Sequence, residues 1–389
     1  MIKYELKKEK DTCYGCRACE QICPKNAIQM VKDEEGFLYP LIDKGKCVNC
    51  SLCERVCPYE KKEEVSRGET YAVQIKDIEA LMESSSGGVF SWAANYVIQN
   101  GGYVSGCILD EKFNPIHIVS NDTNDIAKMR GSKYVQSDTV DVYSKIERLL
   151  KDNQLVLFTG TPCQVAGLIS YLRKTYDKLI TMDLICHGVP SSKLFFEYIR
   201  TEREKGKDIQ EIKFRDKKMN GWCSQGSIKL NGKKRNISPF NNSYYYYYYL
   251  GNYVSRYSCY TCKYASLERP GDITIGDCWN MKVAFPSIDT SKGFSAIIIN
   301  SLKGQQLFEM IKNNLIYYPI DREFVILNNA NLQGPCKMPE KRKIIYKEID
   351  QYGYEKVSKR ECKYQYVIPF IRRYMPKKIK NIIKKIKRD

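Results

Sequence analysis

The sequence is poor in histidine, with two residues in the whole chain, so few side chains can exchange protons near neutral pH. It has no apolar run approaching the roughly 20 residues that span a bilayer. Residues 1–8 lack the apolar stretch and small-residue cleavage site of a signal peptide, and a soluble, cytoplasmic protein is the expectation. No G-x-G-x-x-G or Walker A pattern occurs, so no nucleotide site can be read from a fingerprint. Acid is scarce: 63 Lys and Arg against 45 Asp and Glu leave a net charge of +18. Residues 372–388 hold nine basic and no acidic residues, about half of that excess. The body is therefore only moderately basic, and a nucleic-acid partner is not implied. Cysteine, by contrast, is abundant, with 17 residues. A chain of 389 residues exceeds one average domain. In a chain neither small nor secreted, metal thiolates explain cysteines better than disulfides do.

Cys13, Cys16, Cys19 and Cys23, followed by Pro24, have the spacing C-x2-C-x2-C-x3-C-P, and Cys47, Cys50, Cys53 and Cys57, followed by Pro58, repeat it 34 residues later. This is the pattern of a bacterial two-cluster ferredoxin: three bunched thiolates wrap one 4Fe-4S cube and the fourth faces the other. Ligation is expected to cross over, with Cys13, Cys16, Cys19 and Cys57 on one cluster and Cys47, Cys50, Cys53 and Cys23 on the other. Zinc is the competing reading, but its sites favour separated C-x2-C pairs or Cys/His mixtures. So small a segment has little apolar core, and ligation should supply much of its folding energy. The charged, aperiodic residues 60–68 read as a linker, which sets a two-cluster 4Fe-4S domain at 1–66.

Beyond the linker the pattern is mixed α/β (α+β overall), with strands expected at 71–75, 103–109 and 116–120. Ser84-Ser85-Ser86-Gly87-Gly88 precedes a helix over Val89–Gln99; such a start either cradles an anion or is a capped helix with a flexible approach. Residues 155–158 read as a buried strand leading through Thr159-Gly160-Thr161-Pro162-Cys163 into a helix over 164–175. A second strand at 179–185 ends at Cys186-His187-Gly188, and a helix over 191–200 follows. This βαβ unit has parallel strands, so Cys163 and Cys186 share the sheet edge at which ligands bind in open α/β folds. Cys259 and Cys262 form a C-x2-C pair that lacks two thiolates, and Cys163 and Cys186 would complete a four-cysteine site. A redox motif or zinc remains open for that pair on spacing alone.

Ser84-Ser85-Ser86-Gly87-Gly88-Val89-Phe90, Arg130-Gly131-Ser132-Lys133-Tyr134-Val135-Gln136-Ser137, Phe158-Thr159-Gly160-Thr161-Pro162-Cys163-Gln164, Ile185-Cys186-His187-Gly188-Val189-Pro190-Ser191 and Gly271-Asp272-Ile273-Thr274-Ile275-Gly276-Asp277 together resemble the family of coenzyme F-420 hydrogenase/dehydrogenase beta subunits. The resemblance runs over residues 71–304. It implies a flavin and iron–sulfur domain at 67–340, with bound FAD and a third 4Fe-4S cluster on Cys163, Cys186, Cys259 and Cys262. It places the cofactor among Ser85, Ser86, Gly87, Gly88, Ser132, Lys133, Tyr134, Gly160, Thr161, Pro162, Gln164, Gly276 and Asp277. One departure stands out: the family's Gly-Asp-Phe-Trp-Gly is here Gly276-Asp277-Cys278-Trp279-Asn280, and no ligand role is assigned to Cys278.

His187, beside a cluster ligand, is a candidate proton donor or a hydrogen-bonding neighbour of the cluster. Lys133 is a candidate catalytic residue that would set positive charge beside a reduced flavin. The six tyrosines at 244–249 read as β-prone packing. The expected activity is an FAD-dependent iron–sulfur oxidoreductase. Ferredoxin or another redox protein would exchange electrons with it, and flavin would pass hydride to or from an organic substrate. The resemblance links such fusions to polysaccharide biosynthesis. A non-catalytic electron-transfer subunit of a larger hydrogenase- or dehydrogenase-like complex is the alternative, and a flavin-free redox sensor a weaker third. Residues 341–389 are set apart as a basic tail. Ile379, Ile382, Ile383 and Ile386 at helical spacing suit either an anionic membrane surface or a solvated terminal helix.

Overall fold

The computed structural model describes residues 9–61, 68–237 and 244–362; the proposed amphipathic tail helix and most of the linker lie outside them. The N-terminal unit has one antiparallel hairpin, β1 (Ile28–Lys32) with β2 (Leu38–Ile42). The body follows with β3 (Thr70–Ile75), β4 (Tyr103–Leu109), β5 (Pro115–Ser120), β6 (Val156–Gly160) and β7 (Leu179–Leu184). A three-stranded antiparallel sheet comes next, β8 (Ile209–Lys213), β9 (Gly226–Leu230) and β10 (Lys233–Ile237). The chain then returns with β11 (Ile273–Asp277), β12 (Ser295–Ile299) and β13 (Leu315–Pro319).

The main sheet has eight strands in the order β13-β3-β12-β11-β7-β6-β4-β5. Strands β4, β6, β7 and β11 are mutually parallel, so their carboxyl ends open on one edge. Every residue of β3, β6 and β12 is buried, because helices cover both faces and a strand buried twice must be apolar throughout. Alternate residues serve opposite layers. Leu157 and Ile180 pack with Val89, Ala93 and Val97 of the helix Val89–Gln99, whereas Val156, Phe158 and Leu179 pack with Val165, Leu168 and Leu172 of the helix Pro162–Leu172. That helix starts two residues earlier than the sequence reading places it. Pro162 takes its first position, and Gln164 Oε1 accepts from the Thr161 amide and hydroxyl at 3.0 Å.

Ala18 and Val56 of the N-terminal unit belong to the same core as the helix Pro162–Leu172. The unit is further tied down by Arg342, whose fully buried guanidinium meets both oxygens of Glu35 at 2.8 and 2.5 Å. The helices Ile345–Tyr352 and Tyr354–Glu361 follow Arg342 and send Ile345, Tyr346, Ile349, Tyr354 and Val357 into the core of the small sheet and the helix Ser192–Glu204. The tyrosine run is helical, Tyr244–Leu250, rather than extended. Tyr245 to Tyr248 are buried in that core, where contacts to Phe195, Tyr198 and Phe214 outweigh a β preference that is itself mostly packing.

Candidate functional site

The 34-residue repeat is repeated in backbone shape. Gly15 and Asn49 have φ of 68° and 54°, and Arg17 and Ser51, at the next equivalent position, have 62° and 56°. Left-handed residues alternating with right-handed ones turn successive N–H groups inward, a concavity found at Fe–S sites. Cys23, Cys47, Cys50 and Cys53 surround one enclosed cavity of about 30 Å³ closed by Ile28, Ile42 and Leu52. Cys13, Cys16, Cys19 and Cys57 gather on the other side: Cys13 and Cys57 raise the pKa of both Cys16 and Cys19, after burial, which is the main cause.

Cys163 is the second residue of the helix Pro162–Leu172, beyond the end of β6, and Cys186 lies just past the end of β7. Cys259 and Cys262 are brought to them by the Gly188 turn. Its φ is 94°, and a Cβ there would stand 3.1 Å from Ser255 Oγ and 3.3 Å from Cys259 Cβ. Arg269 fastens this arrangement. It holds Asp183 and the Leu184 carbonyl of β7 together with the Tyr264 carbonyl that follows the C-x2-C pair. All pairings among the four thiols are close enough to act on one another's ionisation. Burial pushes Cys186 and Cys262 up to about 12, so four such thiols stay protonated unless a strong positive charge binds them, as a metal does when it deprotonates a thiol outright. Among the described residues no three Cys, His, Asp or Glu converge as ligands of a single ion. The thiols are grouped without sharing one point, which suits a multi-iron cube better than one tetrahedral zinc.

Tyr14 lies between the two cysteine-rich regions. Its buried ring packs against Tyr59 at 5.9 Å and Tyr264 at 5.6 Å, in a cluster that includes Cys163 and Cys262. Burial, and then the nearby Cys262, Cys163 and Cys57, hold its hydroxyl in the protonated form. Arg256 braces the same junction, donating to the Cys13 carbonyl at 2.6 Å and the Leu38 carbonyl at 2.9 Å.

On the far side of Cys163 and Cys186 opens a cavity of about 510 Å³. Ser85, Ser86, Gly88, Ser132, Lys133, Tyr134, Gly160, Thr161, Gln164, His187, Gly276 and Asp277 all line it. Gly87 and Pro162, named with them on sequence grounds, do not. Gly87 is needed for close packing, since a Cβ there would stand 1.9 Å from the Val73 carbonyl oxygen, and Pro162 is buried at the helix start. At one end Gly88, with φ of 84° and no side-chain cap, begins the helix Val89–Gln99, so its first amides are available to an anion. The serines there are structural: Ser85 Oγ receives the Ser132 amide at 2.8 Å, and Ser86 Oγ donates to the Phe294 carbonyl at 2.7 Å. At the other end stand Cys163, Cys186 and His187. Tyr134 and Tyr249, stacked at 4.5 Å, and Trp279 form an aromatic wall.

Lys133 is committed differently from the expectation. Its ammonium donates to the carbonyls of Lys128, Met129 and Arg130 at 2.6, 2.9 and 2.9 Å, closing the C-terminal end of the helix Thr123–Met129. Burial pulls it down towards about 8 while those three carbonyls favour the charged form. All its donors are used, so it lends charge to the wall and no hydrogen bond to a ligand. His187 is open to the cavity yet surrounded by protein, which lowers its pKa; Asp277 opposes and Arg215 reinforces that shift. Cys278 is buried beside Phe294 and Met281 in a separate apolar cluster. His117, Arg215, Tyr249 and Trp279 belong to the wall without having been named for it. Of these only Trp279 carried a signal, its place in the Gly276–Asn280 stretch.

Residues 153–321 match the family model for the C terminus of the coenzyme F420 hydrogenase/dehydrogenase beta subunit, and residues 12–61 match the 4Fe-4S dicluster domain. The chain belongs to the family of coenzyme F420 hydrogenase/dehydrogenase beta subunits, with a 4Fe-4S dicluster domain in front. It is 22% identical over 331 residues to the F subunit of the F(420)H(2) dehydrogenase from Methanosarcina mazei, spanning 79% of this chain and 84% of that protein. A chain in a structure of the F420-reducing [NiFe] hydrogenase complex from Methanosarcina barkeri superposes with a TM-score of 0.46 at 17% identity, covering 77% of this beta-subunit protein and 96% of that chain. The expectation of an FAD-dependent oxidoreductase is overturned here, because the relative spanning most of the chain is named as one subunit of a dehydrogenase. What stands is an iron–sulfur redox protein. Among the described residues no helix is long and apolar enough to cross a membrane.

Proposed function

We propose that this chain is the iron–sulfur electron-transfer subunit of a hydrogenase- or dehydrogenase-like complex, conducting electrons between a redox-protein partner and an organic cofactor in the cavity of the body. The observation that carries this reading is the placement of Cys163, Cys186, Cys259 and Cys262, with Tyr14 and Cys16 of the dicluster unit on one side and the cavity on the other. Cys13, Cys16, Cys19 and Cys57 would hold one cluster, Cys23, Cys47, Cys50 and Cys53 the second, and the four body cysteines the third. Such clusters supply one-electron transfer, and a flavin such as FAD would convert between one- and two-electron steps.

The chain's own residues set the geometry. The helix Pro162–Leu172 presents Cys163 at its positive end, which favours a thiolate. Tyr14 and Tyr264 fill the space between the dicluster unit and the body cysteines and exclude water. The bare amides at Gly88 suit phosphate, and Tyr134, Tyr249 and Trp279 suit a planar ring. Cys50 is exposed, so the second cluster would face a redox partner such as ferredoxin. Nothing in the site's chemistry favours a role in polysaccharide biosynthesis. The reading is tested with the anaerobically reconstituted chain. Alone it should take electrons from reduced viologen and show no turnover of organic acceptors until partner subunits are added; sustained turnover by the isolated chain would contradict it.

A further inference from the structure

Arg215 comes from the small sheet, two residues beyond β8, and its side chain is 3% exposed. Asp277, the last residue of β11, receives Nη1 at 2.6 Å, and the Cys223 carbonyl receives Nε at 2.9 Å. The guanidinium stands 5.5 Å from the centre of the Trp279 ring, which is stacked on Trp222 at 5.0 Å and 10°. Trp222 Nε1 donates to the other Asp277 oxygen at 3.0 Å. Nη2 has no hydrogen-bond partner, although Arg215 is part of the cavity wall. Leaving a buried donor unmet costs about 1–3 kcal/mol, more for a charged group. Among the described residues, the cavity wall has two cationic side chains, Lys133 and Arg215. Lys133 is saturated by three carbonyls, which leaves Arg215 as the wall's cation with a donor in reserve.

We propose that Arg215 is the receptor for the N1–C2 carbonyl edge of a flavin-type ring in the cavity, and that it biases this ring towards its reduced, negatively charged form. The proposal rests on the reading of the cavity as a flavin site. Reduction adds two electrons, delivered singly from the iron–sulfur clusters, and one proton at N5, leaving one negative charge on the N1–C2 edge. A fixed charge at that edge is one of the ways a protein tunes such a ring. Asp277 and the Cys223 carbonyl hold the planar fork in place, so its free face needs no reorganisation when that charge arrives. Out of water the interaction is stronger than it would be at a surface.

FAD is the probe, titrated into the full-length chain with its clusters reconstituted, once oxidised and once in excess dithionite. Wild type should bind reduced FAD more tightly than oxidised FAD. Arg215→Gln should lower that ratio about tenfold, equivalent to about 30 mV in a two-electron potential. The double variant Arg215→Gln with Asp277→Asn leaves no unpaired buried carboxylate and should show the same loss if the single variant does not fold. FAD bound with an unchanged ratio in either folded variant overturns the role of Arg215 alone. Failure of wild type to bind FAD in either state overturns the flavin reading and this inference with it.

Discussion

Gly167 faces Cys16 so closely that a Cβ on it would stand 3.0 Å from the cysteine's Cβ and Sγ, and 2.9 Å from the Tyr143 hydroxyl. Gly167 sits in the helix whose second residue is Cys163, so one rigid element carries both the contact to the dicluster unit and a thiol of the body site. Any group added at this glycine pushes the two cysteine-rich regions apart.

Gly167→Val should therefore slow electron passage from the dicluster unit into the body. Overpacking of this kind costs about 1–3 kcal/mol. The measurement is rapid-mixing absorbance after reduction of the N-terminal clusters, with iron content as the control. Full iron content and an unchanged rate would show that the contact does not govern transfer.

His117 makes stability depend on pH. It is buried, its Nε2 lies 3.0 Å from the Thr159 carbonyl and its Nδ1 2.9 Å from Ser137 Oγ. Since a carbonyl only accepts, Nε2 carries the proton and Nδ1 receives the Ser137 hydroxyl. Burial, with Lys133 adding to it, lowers the pKa from 6.5 to about 4. Between those values the unfolded chain binds the proton and the folded one does not, so stability falls as pH drops from 6.5 to about 4 and is flat above. The loss is on the order of 3 kcal/mol. Denaturant melts of wild type and His117→Asn across that window should differ in slope, the variant being flatter. Parallel slopes would remove His117 as the cause.

Much of the layout was readable because it is local. The eight N-terminal cysteines follow a fixed spacing, the helix Val89–Gln99 and the strand Tyr103–Leu109 have the bounds their patterns suggest, and the parallel pairing of β6 with β7 follows from a short crossover. What stayed hidden depends on contacts between distant segments. Arg215 meets Asp277 across 62 positions, and no local pattern marks either as a partner. His117 becomes part of the cavity through Thr159 and Ser137. Lys133 has the sequence context of a ligand-binding lysine, and only the fold shows that the preceding helix end consumes its donors. The tyrosine run has strand propensity, and the surrounding aromatic core makes it helical.

The central claim is that the body cysteines complete an electron path between the dicluster unit and the cavity. It is tested most directly by iron analysis and EPR of the anaerobically reconstituted chain beside Cys163→Ala. Wild type should hold about twelve irons, four per cluster, and the variant about eight, with the N-terminal clusters still reducible by dithionite. Electrons placed on those clusters should reach a cavity-bound acceptor in wild type and not in the variant. A wild-type content of only eight irons after full reconstitution, with transfer unaffected in Cys163→Ala, would contradict the account.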